Sequence, residues 1–206
     1  DNTPYGGGLE PILCHLEYFG ANKNRIFAHP TGIAVAGNYS TTFPQKGLQF
    51  TNDEEFNSPD NFDYPVFGQD KPYIERYHSF RLRNGDNDYY RARMRDVIVN
   101  RMALYGHATA AGYVNVSSFI NGAYWGHYTA RERLDRYFLR DNYGMDPDEV
   151  DMVKCHVGSY SAEAGNMREY NSLYEFLLTN NMANASNYAL AKEKINIENW
   201  VDYMIT

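Results

Sequence analysis

Short runs of alternating apolar and polar residues dominate the first half of the chain. Leu9 to Phe19 reads as a strand, Gly20-Ala21-Asn22-Lys23-Asn24 as a turn cluster, and Arg25-Ile26-Phe27 as the returning run of a hairpin. Gly32 to Gly37 predicts a short strand bounded by glycines, and Lys46 to Thr51 another, with Leu48 and Phe50 alternating with polar neighbours. Thr51 to Lys71, rich in Asp, Asn, Pro and Gly, predicts a loop or a lid rather than a flexible tether. Ser79 to Arg83 predicts a strand that ends at Asn84-Gly85-Asp86-Asn87-Asp88. There Asn87 or Asp88 caps a helix that carries Met94, Val97, Ile98 and Met102 and stops before Gly106.

The pattern then gives a hairpin, Tyr113 to Ile120 and Ala123 to Thr129, joined by Asn121-Gly122, the residue pair of a type I′ turn. Helical spacing takes over afterwards. Glu132 to Asn142 predicts a helix stopped by Gly144, and Asp146-Pro147-Asp148 opens a new element. Gly158 to Gly165 reads as a small-residue loop, and Asn166 to Thr179 as an amphipathic helix. Ser186 caps a shorter helix through Lys194. Asn196 caps a last helix with an Ile197, Trp200, Val201, Met204 stripe, which reaches Thr206 without Gly, Pro or a basic last turn. That pattern predicts that the natural chain continues. The class is α+β: an antiparallel sheet followed by helices.

Charge and composition narrow the function. The 206 residues carry 19 Lys plus Arg against 26 Asp plus Glu, a net charge of −7, which excludes a general nucleic-acid binder. No apolar run is long enough to span a bilayer. The chain begins at Asp1 rather than Met, as a processed or trimmed form would, so an upstream export signal is compatible with it. Cys14 and Cys155 sit in no CxxC or His-rich cluster and read as free thiols. The six histidines are scattered without metal-binding spacing, so no metal site is expected, and no GxSxG turn occurs.

Three groups of residues carry candidate chemistry, each beside an ordinary reading. Gly37-Asn38-Tyr39-Ser40, with Lys46 on the returning strand, suits a nucleotide site or a plain hairpin turn with a solvated lysine. Glu132, in Arg131-Glu132-Arg133 with Asp135 following, suits a partner for a phosphate-binding lysine or simple helix-start electrostatics. Arg81 and Arg83 alternate on one strand, and so share a face, with Arg91, Arg93 and Arg95 on the next helix. They suit an anion cluster, or they balance Asp86, Asp88 and Asp96.

The order of these pieces is more specific than any one of them. Phe80-Arg81-Leu82-Arg83-Asn84-Gly85 precedes Arg95-Asp96. Then come Asn121-Gly122-Ala123-Tyr124-Trp125-Gly126-His127-Tyr128 and Arg131-Glu132-Arg133-Leu134-Asp135, and finally Ile197 to Ile205. This resembles the CotH kinase family, named for spore-coat protein H, over about residues 30 to 206. The resemblance implies an atypical protein-kinase-like fold that uses ATP and Mg or Mn to phosphorylate Ser or Thr of a protein substrate. It implies Lys46 and Glu132 as the nucleotide-binding residues and as partners of each other. It places the catalytic and metal-binding Asp residues downstream of Thr206, so the chain reads as one incomplete domain. Residues 1–130 would be its sheet-rich part, an N-terminal lobe, and residues 131–206 its helical part, the start of a second lobe. No catalytic residue and no bound cofactor are then expected in the chain itself. An exported or cell-surface location is implied as well. The rival reading is a non-catalytic surface or coat module binding glycan or a protein partner, suggested by the Tyr-, Asn- and Trp-rich composition. Exposed aromatics without Lys46 facing Glu132 would favour it.

Overall fold

A computed structural model describes residues 10–156 and 158–206; Leu9, the expected first strand residue, lies outside them. The chain divides into two compact units. One runs to Asn100 and takes up Ala111–Arg133; the other comprises Arg101–Ala110 and Leu134–Thr206.

The first unit is built on a six-stranded, wholly antiparallel sheet in the order β1-β2-β3-β4-β6-β5. Its strands are β1 (Ile12–Phe19), β2 (Arg25–Ala36), β3 (Gly47–Thr51), β4 (Ser79–Arg83), β5 (Tyr113–Ile120) and β6 (Ala123–Glu132). The two short strands expected around Phe27 and Gly32 are one strand, β2, which runs through Pro30. Pro30 lies outside the Gly32–Ala36 stretch paired with β3, so only β1 meets β2 there, which suits a residue without an N–H. Asn121 and Gly122 both take positive φ (50° and 80°), as a type I′ turn requires.

Alternation divides the sheet into two faces. Leu48, Phe50, Phe80, Leu82, Tyr128 and Ala130 point into the core. They are covered by the 52–78 segment through Phe62, Val66, Phe67, Ile74 and Tyr77. The expected lid is therefore a packed layer. Phe62 and Phe67 are completely buried, each contributing about 1.5–3 kcal/mol of transfer free energy. A pair of backbone hydrogen bonds between Phe62 and Tyr77 (2.8 and 3.2 Å) closes the segment on itself. Its Asp, Pro and Gly content marks turns between anchoring aromatics rather than mobility.

Helix α1 (Arg95–Ala103) runs from the first unit into the second. Asp88 caps it from a distance, accepting from the N–H groups of Met94 (3.0 Å) and Arg95 (3.3 Å) across an intervening turn. The second unit holds α2 (Arg136–Tyr143), a two-stranded hairpin of β7 (Met152–His156) and β8 (Ser159–Ala164), α3 (Arg168–Thr179), α4 (Ala185–Lys194) and α5 (Ile197–Ile205). The small-residue loop expected from Gly158 is thus mostly strand β8, its Tyr160 ring stacked on Tyr170 at 5.5 Å. α2 begins later than the expected Glu132 because β6 runs through that residue and Asp135 caps the helix, accepting from Tyr137 N–H (2.9 Å) and Phe138 N–H (3.1 Å). Gly144 (φ 68°) stops it as expected. Asn184 rather than Ser186 caps α4, and Asn196 caps α5 as expected. Asp202 of α5 accepts from the His107 backbone N–H (2.6 Å) and meets the His107 ring nitrogen at 3.0 Å. These two contacts hold its carboxyl below the usual aspartate value.

Both cysteines are free, Cys14 half-buried and Cys155 exposed. Burial pushes the Cys14 thiol above its ordinary value, so fewer thiolates form there. A native-state alkylation time course is expected to show two phases, Cys155 fast and Cys14 slow, with Cys14→Ala deleting the slow one. Equal rates, or no reactive thiol in denaturant without reductant, would refute it. Among the described residues no helix is long and apolar enough to cross a membrane.

Candidate functional site

The face of the first unit's sheet opposite the core is polar, and its residues follow from register. Gln49, Arg81, Arg131 and Tyr113 lie side by side across β3, β4, β6 and β5; Arg83, Thr129 and Asn115 form the next row. Arg81 Nε donates to Gln49 Oε1 at 2.9 Å. Arg131 donates from Nη1 to both carboxylate oxygens of Asp96 (2.7 and 2.6 Å) and from Nη2 to Asn100 Oδ1 (3.2 Å), both on α1. Burial pulls the Arg131 guanidinium below its ordinary pKa, and Asp96 opposes that pull. A guanidinium nonetheless stays charged in a protein. Arg81 and Arg131 are directly opposed like charges, an arrangement that needs anions nearby.

A cavity of about 360 Å³ opens beside this row. The Gly37–Ser40 turn lines one wall, and Arg81, Arg83, Asp86 and Asn87 line the other. Gly37 has φ +122°, and a Cβ there would collide with Ser40 Oγ, so the turn needs glycine. Buried Asn84 ties the walls together. Its Nδ2 donates to the carbonyls of Gln45 (2.6 Å) and Ser40 (3.4 Å), and its Oδ1 accepts from Asp86 N–H (3.0 Å). An aromatic stack adds a second tie: Phe43 lies on Tyr89 at 4.6 Å, and the Arg93 guanidinium lies 4.1 Å from the same ring. Arg93 also donates to Gln45 Oε1 at 2.8 Å, and Arg95 approaches Asp88 at 3.7 Å. Arg91 and Arg93 precede α1 rather than line it. Two sequence candidates, the glycine turn and the Arg81/Arg83 pair, thus meet at one cavity.

The expected Lys46–Glu132 pair does not form. Lys46 donates to the Thr41 carbonyl at 2.7 Å, closing the turn that follows Gly37. Glu132 is the last residue of β6 and shares the core face with Phe80, its register partner. Its carboxylate meets Lys71 Nζ at 2.7 Å and accepts from Gly112 N–H at 2.9 Å, with both side chains 2% exposed. Burial lowers the Lys71 pKa, opposed by Glu132 and Asp70. Sequence reasoning passed over Lys71. Yet Lys46 and Lys71 are the only lysines between residues 24 and 153, and Val66, Phe67 and Ile74 around Lys71 signal burial.

The Asn121-Gly122 hairpin feeds β6 and hence Arg131 and Glu132, on opposite faces, so the motif run that distinguishes this sequence is also the strand that serves both clusters. The family model described as CotH kinase protein matches residues 33–206, from β2 to the end of α5. The chain belongs to the CotH kinase family. Comparison with curated proteins finds no match. The match takes in the whole cavity and both partners of the Lys71–Glu132 pair. The name of the CotH kinase family implies ATP and a metal ion. For ATP, the cavity offers planar guanidiniums suited to phosphate oxygens. For the metal, the residues do not fit. Among the described residues no group of three or more His, Cys, Asp and Glu is placed to hold an ion, and Asp86 at the cavity is engaged by Arg83.

Proposed function

We propose that the intact protein is an ATP-dependent kinase acting on Ser or Thr of a protein substrate. In this reading the first unit acts as its N-terminal lobe, and the cavity between the Gly37–Ser40 turn and Arg81/Arg83 holds the nucleotide phosphates. The observation that carries the reading is the convergence of that turn and those arginines on one cavity within a chain of the CotH kinase family. Arg81 and Arg83 sit two residues apart on a strand, about 6.6–6.8 Å along it, a spacing that suits successive contacts along a polyphosphate. Lys46 serves by fixing the turn through Thr41, and Glu132 by holding Lys71, so both act as positioning residues.

The test is Mg-ATP binding to this chain together with labelled-phosphate transfer by the intact protein to a Ser/Thr-containing acceptor. Replacing Arg81 and Arg83 together by Ala is expected to weaken ATP binding at least tenfold, since each charge-assisted contact contributes about 1.5–3 kcal/mol. It is also expected to abolish transfer. Unchanged binding in that double variant would refute the placement.

A second reading rests on its own observation. Phe119, Tyr124 and Trp125 are exposed around the β5–β6 turn, with Phe119 and Tyr124 edge-to-face at 5.4 Å. Such a platform suits sugar or protein contacts, and Lys46 does not face Glu132. An intact protein that neither binds ATP nor transfers phosphate, but loses a glycan or protein ligand on Trp125→Ala, would make the binding module the leading reading.

A further inference from the structure

We propose that Asp86 is a built-in counter-anion of the cavity, which holds Arg83 until an incoming phosphate displaces it and so sets how strongly the site takes anions. This deepens the phosphate reading above and rests on it. The Asp86 carboxylate lies against both Nε and Nη2 of Arg83, at the edge a bidentate phosphate would use. Both side chains line the cavity and are a quarter to a third exposed, so a solute reaches them. The other acid near Arg83, Asp96, is 3.8 Å away and is committed to Arg131 through both of its oxygens. Asp86 is therefore the group that competes for Arg83.

The backbone is shaped to present it. Gly85 (φ 99°) and Asp86 (φ 45°) are two successive left-handed residues, a conformation that Asp accepts more readily than most side chains. Hydrogen bonds hold it. Asp86 N–H donates to buried Asn84, and the next turn is closed by Asp88 N–H to the Gly85 carbonyl and Tyr89 N–H to the Asp86 carbonyl, both at 2.9 Å. With the main chain pinned, release of Arg83 needs only rotation of the Asp86 side chain. A ligand that requires the released arginine binds with its intrinsic affinity reduced by the fraction of molecules in which Asp86 is turned away.

The test titrates sodium tripolyphosphate into the full chain by calorimetry, for the wild type and for Asp86→Asn, Glu17→Gln and Arg83→Ala. Asn tolerates the left-handed backbone, so Asp86→Asn removes the charge while keeping the turn. It is expected to bind roughly two- to fivefold tighter, the range for releasing one exposed charge pair. Glu17→Gln removes the same charge from the distant Arg25 pair on β1 and is expected to leave affinity unchanged. Unchanged or weaker binding by Asp86→Asn overturns the proposal, as does equal tightening by Glu17→Gln, which would make the effect one of net charge. Arg83→Ala separates the two levels. Tripolyphosphate binding that is absent, or insensitive to Arg83→Ala, overturns the phosphate reading and this inference with it. Binding that is lost in Arg83→Ala but unmoved by Asp86→Asn overturns the inference alone.

Discussion

Lys71→Met is expected to destabilise the protein by about 3–5 kcal/mol, a large share of the roughly 5–15 kcal/mol by which a domain is ordinarily stable. The reason is geometric. Lys71 and Glu132 are both 2% exposed at the side chain, and removing the ammonium takes from a carboxylate in the core the cation it contacts at 2.7 Å. Glu132→Gln is expected to cost less, because the amide still accepts from Gly112, but it takes the contacting carboxylate away from a buried ammonium. The double variant Lys71→Met, Glu132→Leu is expected to recover most of the loss, since both desolvation costs vanish together. Urea unfolding of the four proteins checks this. A single variant within about 1 kcal/mol of wild type would mean that the pair is not shielded from water. The same burial makes Lys71 a staple between the 52–78 layer and β6.

Asn84→Ala is the second large effect, expected at about 2–4 kcal/mol together with loss of the cavity's affinity for phosphates. One buried amide satisfies the Gln45 and Ser40 carbonyls and the Asp86 N–H. Truncation takes that partner from two half-buried groups, the Gln45 carbonyl and the Asp86 N–H, and weakens the hold on the Ser40 carbonyl; a group left unpaired costs about 1–3 kcal/mol when fully buried. It also unties the wall that carries Asp86 from the wall that carries the glycine turn. Asn84→Asp is expected to be no better, because a carboxylate keeps the acceptor for Asp86 but turns an acceptor toward two carbonyls. Thermal melting and tripolyphosphate titration of both variants check the prediction. An Asn84→Ala protein that melts like wild type and binds tripolyphosphate normally would show that the aromatic stack of Phe43, Tyr89 and Arg93 holds the walls alone.

Much of the local structure was legible in the chain. Asn121-Gly122 specifies its turn because few residue pairs accept two positive φ angles in succession. Asn196 and Gly144 mark helix ends because a side-chain acceptor and a missing Cβ act on the adjacent turn alone. The motif order from Phe80 to Asp135 likewise indicates the family from local runs alone. Cys14 and Cys155 could be read as unpaired because they fall in separate elements.

What the sequence by itself determined, then, is whatever depends on a few adjacent residues: turns, caps, the class of fold and the family run. Partner choice required the tertiary structure. Glu132 takes Lys71 and not Lys46 because β6 extends through Glu132, and strand parity then points its carboxylate to the core face while Arg131 points to the other. The helix expected from Glu132 starts only after Asp135, and a shift of this kind is decided by where the strand ends. The 52–78 segment looks loop-like by composition and becomes a core layer because its few aromatics find the open face of the sheet. The cavity itself joins residues more than forty positions apart, Gly37 to Ser40 with Arg81 to Asn87. Their approach is set by the β3–β4 register and by the Asn84 tie, neither of which any local pattern encodes.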